Sequence, residues 1–380
     1  MINLYGKYEK LSVSNDYSGL LKLTTNELLP FPLRKQYGLI SDTAKGDGFK
    51  IVLRKNSSIP SATASIKLSE EIHHLGNGDI VSIGADNNQL RVLFRKQSNQ
   101  NSILLTERCN HYCLMCSQPP KINDDSWIME EVKELVRLIP DDTMELGFTG
   151  GEPTLYGDEF IDLLSLCKSY LPRTAIHVLS NGRSFKDFSY AKKYAALDHP
   201  DLMVGIPIYS DDPVTHNFIV QSDNAFSETI KGILNLKALG QRVEIRVVLQ
   251  RYSVERLEAI ANFIARNLLF VDHVALMGLE IMGFTRSNLE ELWVDQYDYK
   301  DKLSNAVNLL TSYGINVSVY NHQRCLVNDD VMHAYRKSIS DWKNEYLEGC
   351  NGCARMDECG GFFSSSVKYK HSEFIKPFES

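Results

Sequence analysis

Three cysteines stand within eight residues, in the run Cys109-Asn110-His111-Tyr112-Cys113-Leu114-Met115-Cys116, just after a short apolar stretch. Thiolates at this C-x3-C-x2-C spacing can wrap one compact site for a soft metal. A cube-shaped 4Fe-4S cluster has four irons to satisfy. Three cysteines leave one iron open, and an open position is where chemistry happens. The competing reading is a structural zinc, which prefers four closed ligands and usually shows paired C-x2-C knuckles. The triplet offers no fourth ligand nearby except His111, inside the loop itself.

A second group reads Cys350-Asn351-Gly352-Cys353, then Cys359-Gly360-Gly361 after five intervening residues, with Cys325 standing 25 residues upstream. Four thiolates satisfy either one cluster or one tetrahedral zinc. The eighth cysteine, Cys167, falls on the apolar stripe of a helix and reads as core. Asp211-Asp212 and His216 could hold a substrate amine or exchange protons, although Asp-Asp-Pro is ordinary turn chemistry. Phe226, Trp293 and Trp342 could stack on a substrate but read first as core. His73-His74, beside Glu70-Glu71, reads as a solvated helix end.

The elements that must position these residues form two patterns. In the first hundred residues, β-rich stretches at Phe49–Arg54, Asp79–Ile83 and Gln89–Arg95 alternate with turns such as Gly76-Asn77-Gly78-Asp79 and Gly84-Ala85-Asp86-Asn87. A polar linker, 97–102, closes this part. From residue 103 strands and helices alternate. Strands are expected at Ile103–Thr106, Met144–Phe148, Ala175–Leu179, Leu202–Ile208, Val243–Leu249 and His273–Leu279. Helices are expected through Ile128–Ile139, Phe160–Cys167, Thr229–Leu239, Val254–Leu268 and Tyr299–Ser312, with Asp125 and Ser126 available to cap the first. This cadence implies a parallel sheet with right-handed crossovers. Active sites in parallel α/β sheets sit at the C-terminal ends of the strands. The cysteine triplet and the run Gly150-Gly151-Glu152-Pro153-Thr154 both fall there.

Length and composition set outer bounds. A chain of 380 residues can bury a full core and hold more than one domain. With 43% hydrophobic and 23% charged residues it reads as an ordinary globular protein. No stretch approaches the roughly 20 apolar residues of a membrane span, and the start lacks the apolar segment of a secretory signal. A cytoplasmic location is therefore expected, where eight cysteines read as metal or catalytic sites before disulfides. A formal net charge of −7 argues against nucleic acid as the main partner.

The triplet and the Gly-Gly-Glu-Pro turn, in this order and spacing, resemble the radical S-adenosylmethionine (SAM) enzymes. The resemblance implies an α/β fold: a partial (β/α)6 barrel over residues 101–314, a β-rich accessory domain at 1–100 and a cysteine-rich auxiliary-cluster segment at 315–380. It implies a 4Fe-4S cluster on Cys109, Cys113 and Cys116, with the open iron chelating the amino and carboxylate groups of SAM. In that family an aromatic residue often precedes the last cysteine, its backbone touching the adenine. Met115 takes that position here, and a flexible thioether can cover a purine face. The turn Gly150-Gly151-Glu152-Pro153 would meet the SAM amino group, since glycine permits close approach and a carboxylate suits an ammonium. Ser180 and Asn181 would lie near the ribose and methionine parts. Arg246 would reach the SAM carboxylate or else face solvent with Glu244. Gly278-Leu279-Glu280-Ile281-Met282-Gly283 is similar to a loose motif lying against the adenine.

The C-x2-C-x5-C core, with Cys325, resembles the auxiliary-cluster domains of peptide-modifying members, implying one further 4Fe-4S cluster, with zinc the alternative. CNHYCLMCSQPP at 109–120, GFTGGEPTL at 147–155, GLEIMGF at 278–284 and CNGCARMDECGGFF at 350–363 resemble the His-Xaa-Ser system radical SAM maturases. That implies radical modification of a ribosomally made precursor peptide, a second radical SAM maturase as partner, and a reductant such as a flavodoxin or ferredoxin. The alternatives are a radical SAM enzyme acting on a small metabolite or a sulfatase-type protein, and a non-catalytic cluster- or zinc-binding partner that recruits the precursor.

Overall fold

The computed structural model describes residues 3–11, 17–60, 63–84, 87–337 and 345–379. Trp342, and Ala85-Asp86 of one expected turn, lie outside these residues. Seven short strands build the N-terminal part: β1 (Tyr5–Lys10), β2 (Gly19–Thr24), β3 (Tyr37–Ile40), β4 (Ile51–Arg54), β5 (Ser65–Leu68), β6 (Ile80–Ile83) and β7 (Gln89–Phe94). They close into a barrel in the order β1-β5-β4-β3-β2-β6-β7, with β7 pairing antiparallel to β1. Alternation drives the closure. Leu21, Leu23, Leu53, Ile66, Val81 and Leu90 point into a shared apolar core. The strands β4, β6 and β7 coincide with the β-rich stretches of the sequence. The strand β1 gave no such signal, because its glycine and charges leave only Gly6 and Tyr8 buried. His73 and His74 are half-buried rather than solvated, and the ring of His73 sits 3.3 Å from the Leu68 carbonyl.

The remaining strands are β8 (Asn101–Leu104), β9 (Glu145–Thr149), β10 (Ala175–Leu179), β11 (Leu202–Pro207), β12 (Arg242–Leu249), β13 (His273–Gly278) and β14 (Val317–Tyr320). They form one open sheet in consecutive order, every neighbouring pair parallel. The fold is thus mixed α/β, as the alternating pattern implies. Helices at Ser126–Leu138, Asp158–Tyr170, Ala225–Ala238, Leu257–Asn267 and Gln296–Ser312 connect the strands. On β12, Val243, Ile245, Val247 and Leu249 face these helices in a continuous core, while Glu244 and Arg246 point to the opposite face. Burying such a side chain contributes about 1.5–3 kcal/mol, so this alternation fixes which face is lined with polar groups.

Three details differ from the sequence reading. The first strand runs Asn101–Leu104 rather than Ile103–Thr106, so the polar run 97–102 is not wholly a linker. Asn101 can occupy a strand because its buried amide bonds the Arg95 backbone on both sides, accepting from its N–H at 2.8 Å and donating to its carbonyl at 3.1 Å. The sheet also extends past residue 314, since β14 pairs with β13. Short helices at Phe188–Ala195 and Pro213–Val220 were not expected. The two parts meet at the helix Ser126–Leu138. There Glu131 takes hydrogen bonds from Arg91 (2.5 Å) and Ser82 (2.9 Å), and Lys22 donates to the Leu138 carbonyl.

Candidate functional site

The cysteine loop leaves the C-terminal end of β8 and is zipped at its base to the turn after β9. Gly151 N–H donates to Thr106 O (2.7 Å) and Glu152 N–H to Arg108 O (2.8 Å). A side chain at Gly150 would lie 2.3 Å from Thr106 O, and one at Gly151 2.0 Å from Arg108 O. Gly150 also has φ +147°, a region other residues avoid. The glycines therefore serve the contact between two loops of the chain itself. Asp125, expected to cap a helix, makes no side-chain cap bond there. Its carboxylate instead accepts from Thr106 Oγ1 (2.8 Å), Glu107 N–H (2.5 Å) and Arg108 Nε (2.9 Å), bracing the chain just before Cys109. Burial alone would raise its pKa, but these donors outweigh burial and hold it below the usual carboxylate range.

The outer side of the loop is bracketed by two segments. Tyr112 and Leu114 N–H groups donate to Val220 and Ile219 carbonyls. After β13, Phe284 N–H donates to Cys116 O (2.8 Å), Thr285 Oγ1 to Met115 O (3.0 Å) and Asn288 Nδ2 to Leu114 O (2.9 Å). Met115 is buried among Tyr209, Ile219, Val220 and Leu292. Its thioether thus packs into the core and is not free to cover a purine, as the sequence reading allowed. Of GLEIMGF, Gly283 (φ +53°) is the position that matters here, because a side chain would meet Cys116 O at 2.4 Å.

Cys109, Cys113 and Cys116 are half-buried at the strand ends. Burial pushes the Cys109 thiol up to about 12, helped by the Glu152 and Cys116 charges, and raises the other two thiols as well. The free thiols hold their protons, and a metal must displace them. His111 is buried, its Nε2 lacks a protein partner, and burial lowers its pKa to about 3. Among the described residues no three Cys, His, Asp or Glu side chains converge on a point for a single ion. Four thiolates around one zinc would each lie about 2.3 Å from it. A cube spreads its thiolates over separate irons, so this donor set fits a cluster.

Glu152 is wholly buried. Its Oε1 accepts from Thr154 N–H (3.0 Å), Thr154 Oγ1 (2.6 Å) and Ser180 Oγ (2.8 Å), and its Oε2 from Asn181 N–H (2.6 Å). Burial raises its pKa against these four donors. Pro153, also buried, opens the short turn that presents Thr154. Asn181 Nδ2 then donates to Asn110 Oδ1 (2.6 Å), inside the cysteine loop. The structure thus brings Gly150, Gly151, Glu152, Pro153, Ser180 and Asn181 together beside the triplet, with the carboxylate acting as an internal clasp.

Arg246 lies on the face away from the helices and is not solvent-facing. Its Nη1 donates to Glu244 Oε1 (2.7 Å) and its Nη2 to Met277 Sδ (3.0 Å). Glu244, nearly fully buried, also meets His273 Nδ1 (2.7 Å), whose Nε2 reaches Ser318 Oγ (2.9 Å). Burial opposes its ionisation, yet His273, Arg246 and His177 together hold its pKa down at about 2. Asp211 and Asp212 are not available for substrate. Asp211 forms a two-point ion pair with Arg256, and Asp212 caps a helix through Thr215. His216 is buried, stacked on Tyr209, and its Nδ1 accepts from Tyr209 N–H. Phe226 packs on His216 and Phe263, Trp293 lies under Lys370, and Cys167 is core.

The second cysteine group also assembles. Cys325, Cys350, Cys353 and Cys359 all line one cavity with Tyr346 and Phe362. Arg324 and Gly361 N–H groups point at Cys359 Sγ (3.4 Å each), and Phe378 N–H points at Cys353 Sγ (3.3 Å). Four sulfurs spread around one cavity, with backbone donors on two of them, suit a bound cluster, whose irons take their thiolates separately. Tyr335 ties this group to the sheet, accepting from Gly360 N–H (2.7 Å) and donating to His322 O (2.9 Å). Sequence reasoning missed Asp125 as a brace, Thr285, Asn288 and Tyr335. Each is an ordinary polar residue whose partner lies 13 to 174 positions away.

The sequence profile of the Radical SAM superfamily matches residues 103–264. The chain is 26% identical over 221 residues to a probable GTP 3′,8-cyclase of Sulfolobus acidocaldarius, a match covering 57% of this chain and 66% of the cyclase. It is 26% identical over 200 residues to the pyruvate formate-lyase-activating enzyme of Clostridium pasteurianum, covering 49% of this chain and 77% of that enzyme. Among solved structures it is similar to Streptococcus suis SuiB bound to S-adenosylmethionine, with a TM-score of 0.49 and 16% identity over 60% of this chain and 51% of SuiB. The chain therefore spans about half the length of SuiB and just under two thirds of the cyclase.

Proposed function

We propose, from the premise that residues 103–264 form a radical SAM domain, that this protein is an enzyme that reductively cleaves SAM to modify a ribosomally made peptide. Cys109, Cys113 and Cys116 would hold a 4Fe-4S cluster, which when bound supplies the electron that breaks the SAM sulfonium and releases a 5′-deoxyadenosyl radical. The chain's own part is to hold SAM still and dry. Gly150 and Gly151 set the loop height, Glu152 with Ser180 and Asn181 fixes the two strand ends, and Arg246 offers a cation to a carboxylate. The observation that carries this reading is the docking of a three-thiol loop onto the Gly-Gly-Glu turn at the C-terminal strand ends.

The peptide substrate rests on the four-cysteine segment and on the resemblance to His-Xaa-Ser maturases. It brings with it a second maturase and a flavodoxin- or ferredoxin-type reductant as partners, a cytoplasmic setting, and the three-part division at 1–100, 101–314 and 315–380. No helix among the described residues is long and apolar enough to cross a membrane. The test is anaerobic reconstitution with iron and sulfide, followed by assay of 5′-deoxyadenosine. The Cys109/Cys113/Cys116→Ala variant should produce none. Undiminished cleavage by that variant would refute the site, and an unmodified precursor after co-expression would refute the peptide substrate alone.

A further inference from the structure

The four cysteines of the second group lie on two nearby stretches, Cys325 and Cys350–Cys359, and one short segment from further along the chain lies against them. Residues Ile375–Phe378 form a wall of the cavity that the four sulfurs line. Lys376 lines this cavity together with Cys325. Two residues on, Phe378 N–H donates to Cys353 Sγ at 3.3 Å. The segment is held at both ends. Phe374 stacks on Tyr297 with ring centres 4.2 Å apart, and the Phe378 carbonyl accepts from Ala354 N–H at 2.9 Å. The Arg324 guanidinium lies over the Phe378 ring at 5.3 Å, so cation, ring and backbone donors close one side of the site together.

We propose that Ile375–Phe378 is a strap that completes the outer shell of the four-cysteine site, positioning Cys353 through the Phe378 N–H and sealing the bound group from solvent. This rests on the reading of Cys325, Cys350, Cys353 and Cys359 as one metal-binding set. Outer-shell donors orient and tune thiolate ligands, and their loss typically costs 10- to 100-fold in metal affinity. Hydrogen bonds to sulfur also set the reduction potential of a cluster, because each donor stabilises the more negative, reduced form. Phe378 is thus a positioning residue, acting on the metal through Cys353.

The strap can be tested by removing one N–H. The background is the full chain with Cys109, Cys113 and Cys116 replaced by alanine, so that reconstituted metal resides in the second site. Phe378→Pro deletes the donor, whereas Phe378→Leu keeps it along with an apolar cover. Metal release to a chelator should be about tenfold faster or more in Phe378→Pro, and should match the parent in Phe378→Leu. Where iron is held, the midpoint potential of Phe378→Pro should also be more negative. Phe374→Ala, which unstacks the strap from Tyr297 without touching any N–H, should speed release too, guarding against a purely local effect of proline. Release from Phe378→Pro at the parental rate would overturn the strap and leave the four-cysteine site standing. A parent that retains neither iron nor zinc would overturn the site itself, and the strap with it.

Discussion

Replacing Glu152 by glutamine isolates what its carboxylate does. Oε1 serves three donors and Oε2 a fourth, and no part of the residue is exposed. A glutamine can keep only one of these oxygens. With its NH2 towards Asn181, two N–H groups face each other across a contact that was 2.6 Å. Flipped, its NH2 faces Thr154 N–H, which cannot turn into an acceptor as the hydroxyls can. Either way at least one bond from a backbone donor to a charged group is lost, about 1.5–3 kcal/mol. At roughly 2–4 °C per kcal/mol for a domain of 150–250 residues, the melting temperature of the metal-free protein should fall by about 3–12 °C. Differential scanning calorimetry on metal-free protein measures this without any contribution from SAM. Affinity for SAM should weaken as a result, because Asn181 and the cysteine loop lose their common anchor. An unchanged melting temperature combined with a tenfold loss of SAM affinity would refute the clasp, and would point to a direct contact between Glu152 and the SAM ammonium.

Four further outcomes are expected. Gly283→Val should lower the iron retained by the triplet after reconstitution, since its side chain would press on Cys116 O; full iron content would show that the bracket yields. Asp125→Ala should cost about 1–3 kcal/mol in chemical denaturation, because Thr106 and Glu107 lose a charged acceptor. Glu244 has a folded pKa depressed to about 2, so its stabilisation is present above its ordinary pKa of 4.5 and lost as pH falls from there towards 2. Melting temperatures measured across pH 6 to 3 should fall more steeply for the parent than for Glu244→Gln, and parallel curves would count against this linkage. Arg246→Ala should raise the KM for SAM by about tenfold, as expected for losing one charged hydrogen bond, and an unchanged KM would remove Arg246 from SAM binding.

Strands buried on the helix side announced themselves in the sequence. Val243, Ile245 and Val247 alternate with Glu244 and Arg246 in the period-2 pattern of a strand with one apolar face, and β9 to β13 appeared within a residue or two of their positions. Strands that close the small barrel were harder to see, because β1 and β2 need only two or three buried positions each. The cysteine triplet and its turn were legible as a pair because their residue types are chemically rare. What the surrounding polar residues do was not legible. Glu152 and Asp125 carry charges that suit a ligand or a cap, and only folding shows that their partners are Ser180, Asn181, Thr106 and Glu107. Met115 misled for the same reason, since nothing local says that Ile219 and Leu292 will enclose it.

Closing β7 onto β1 also decides what kind of ligand the N-terminal unit can accept. Among the described residues, the ring of seven strands presents no unpaired row of N–H and C=O groups. An extended peptide that binds by lending one more strand needs such a row, and none is open to it there. A grip on a peptide by these strands would come from side chains, and Leu28 and Tyr5 are the most exposed large apolar ones of this unit among the described residues. The parallel sheet is different, because it stops at β8 and at β14. Tyr335 already pairs with Val319 along the β14 border. Strand lending, and the unwanted edge-to-edge association that shares its geometry, is thereby directed to the β8 side of the molecule.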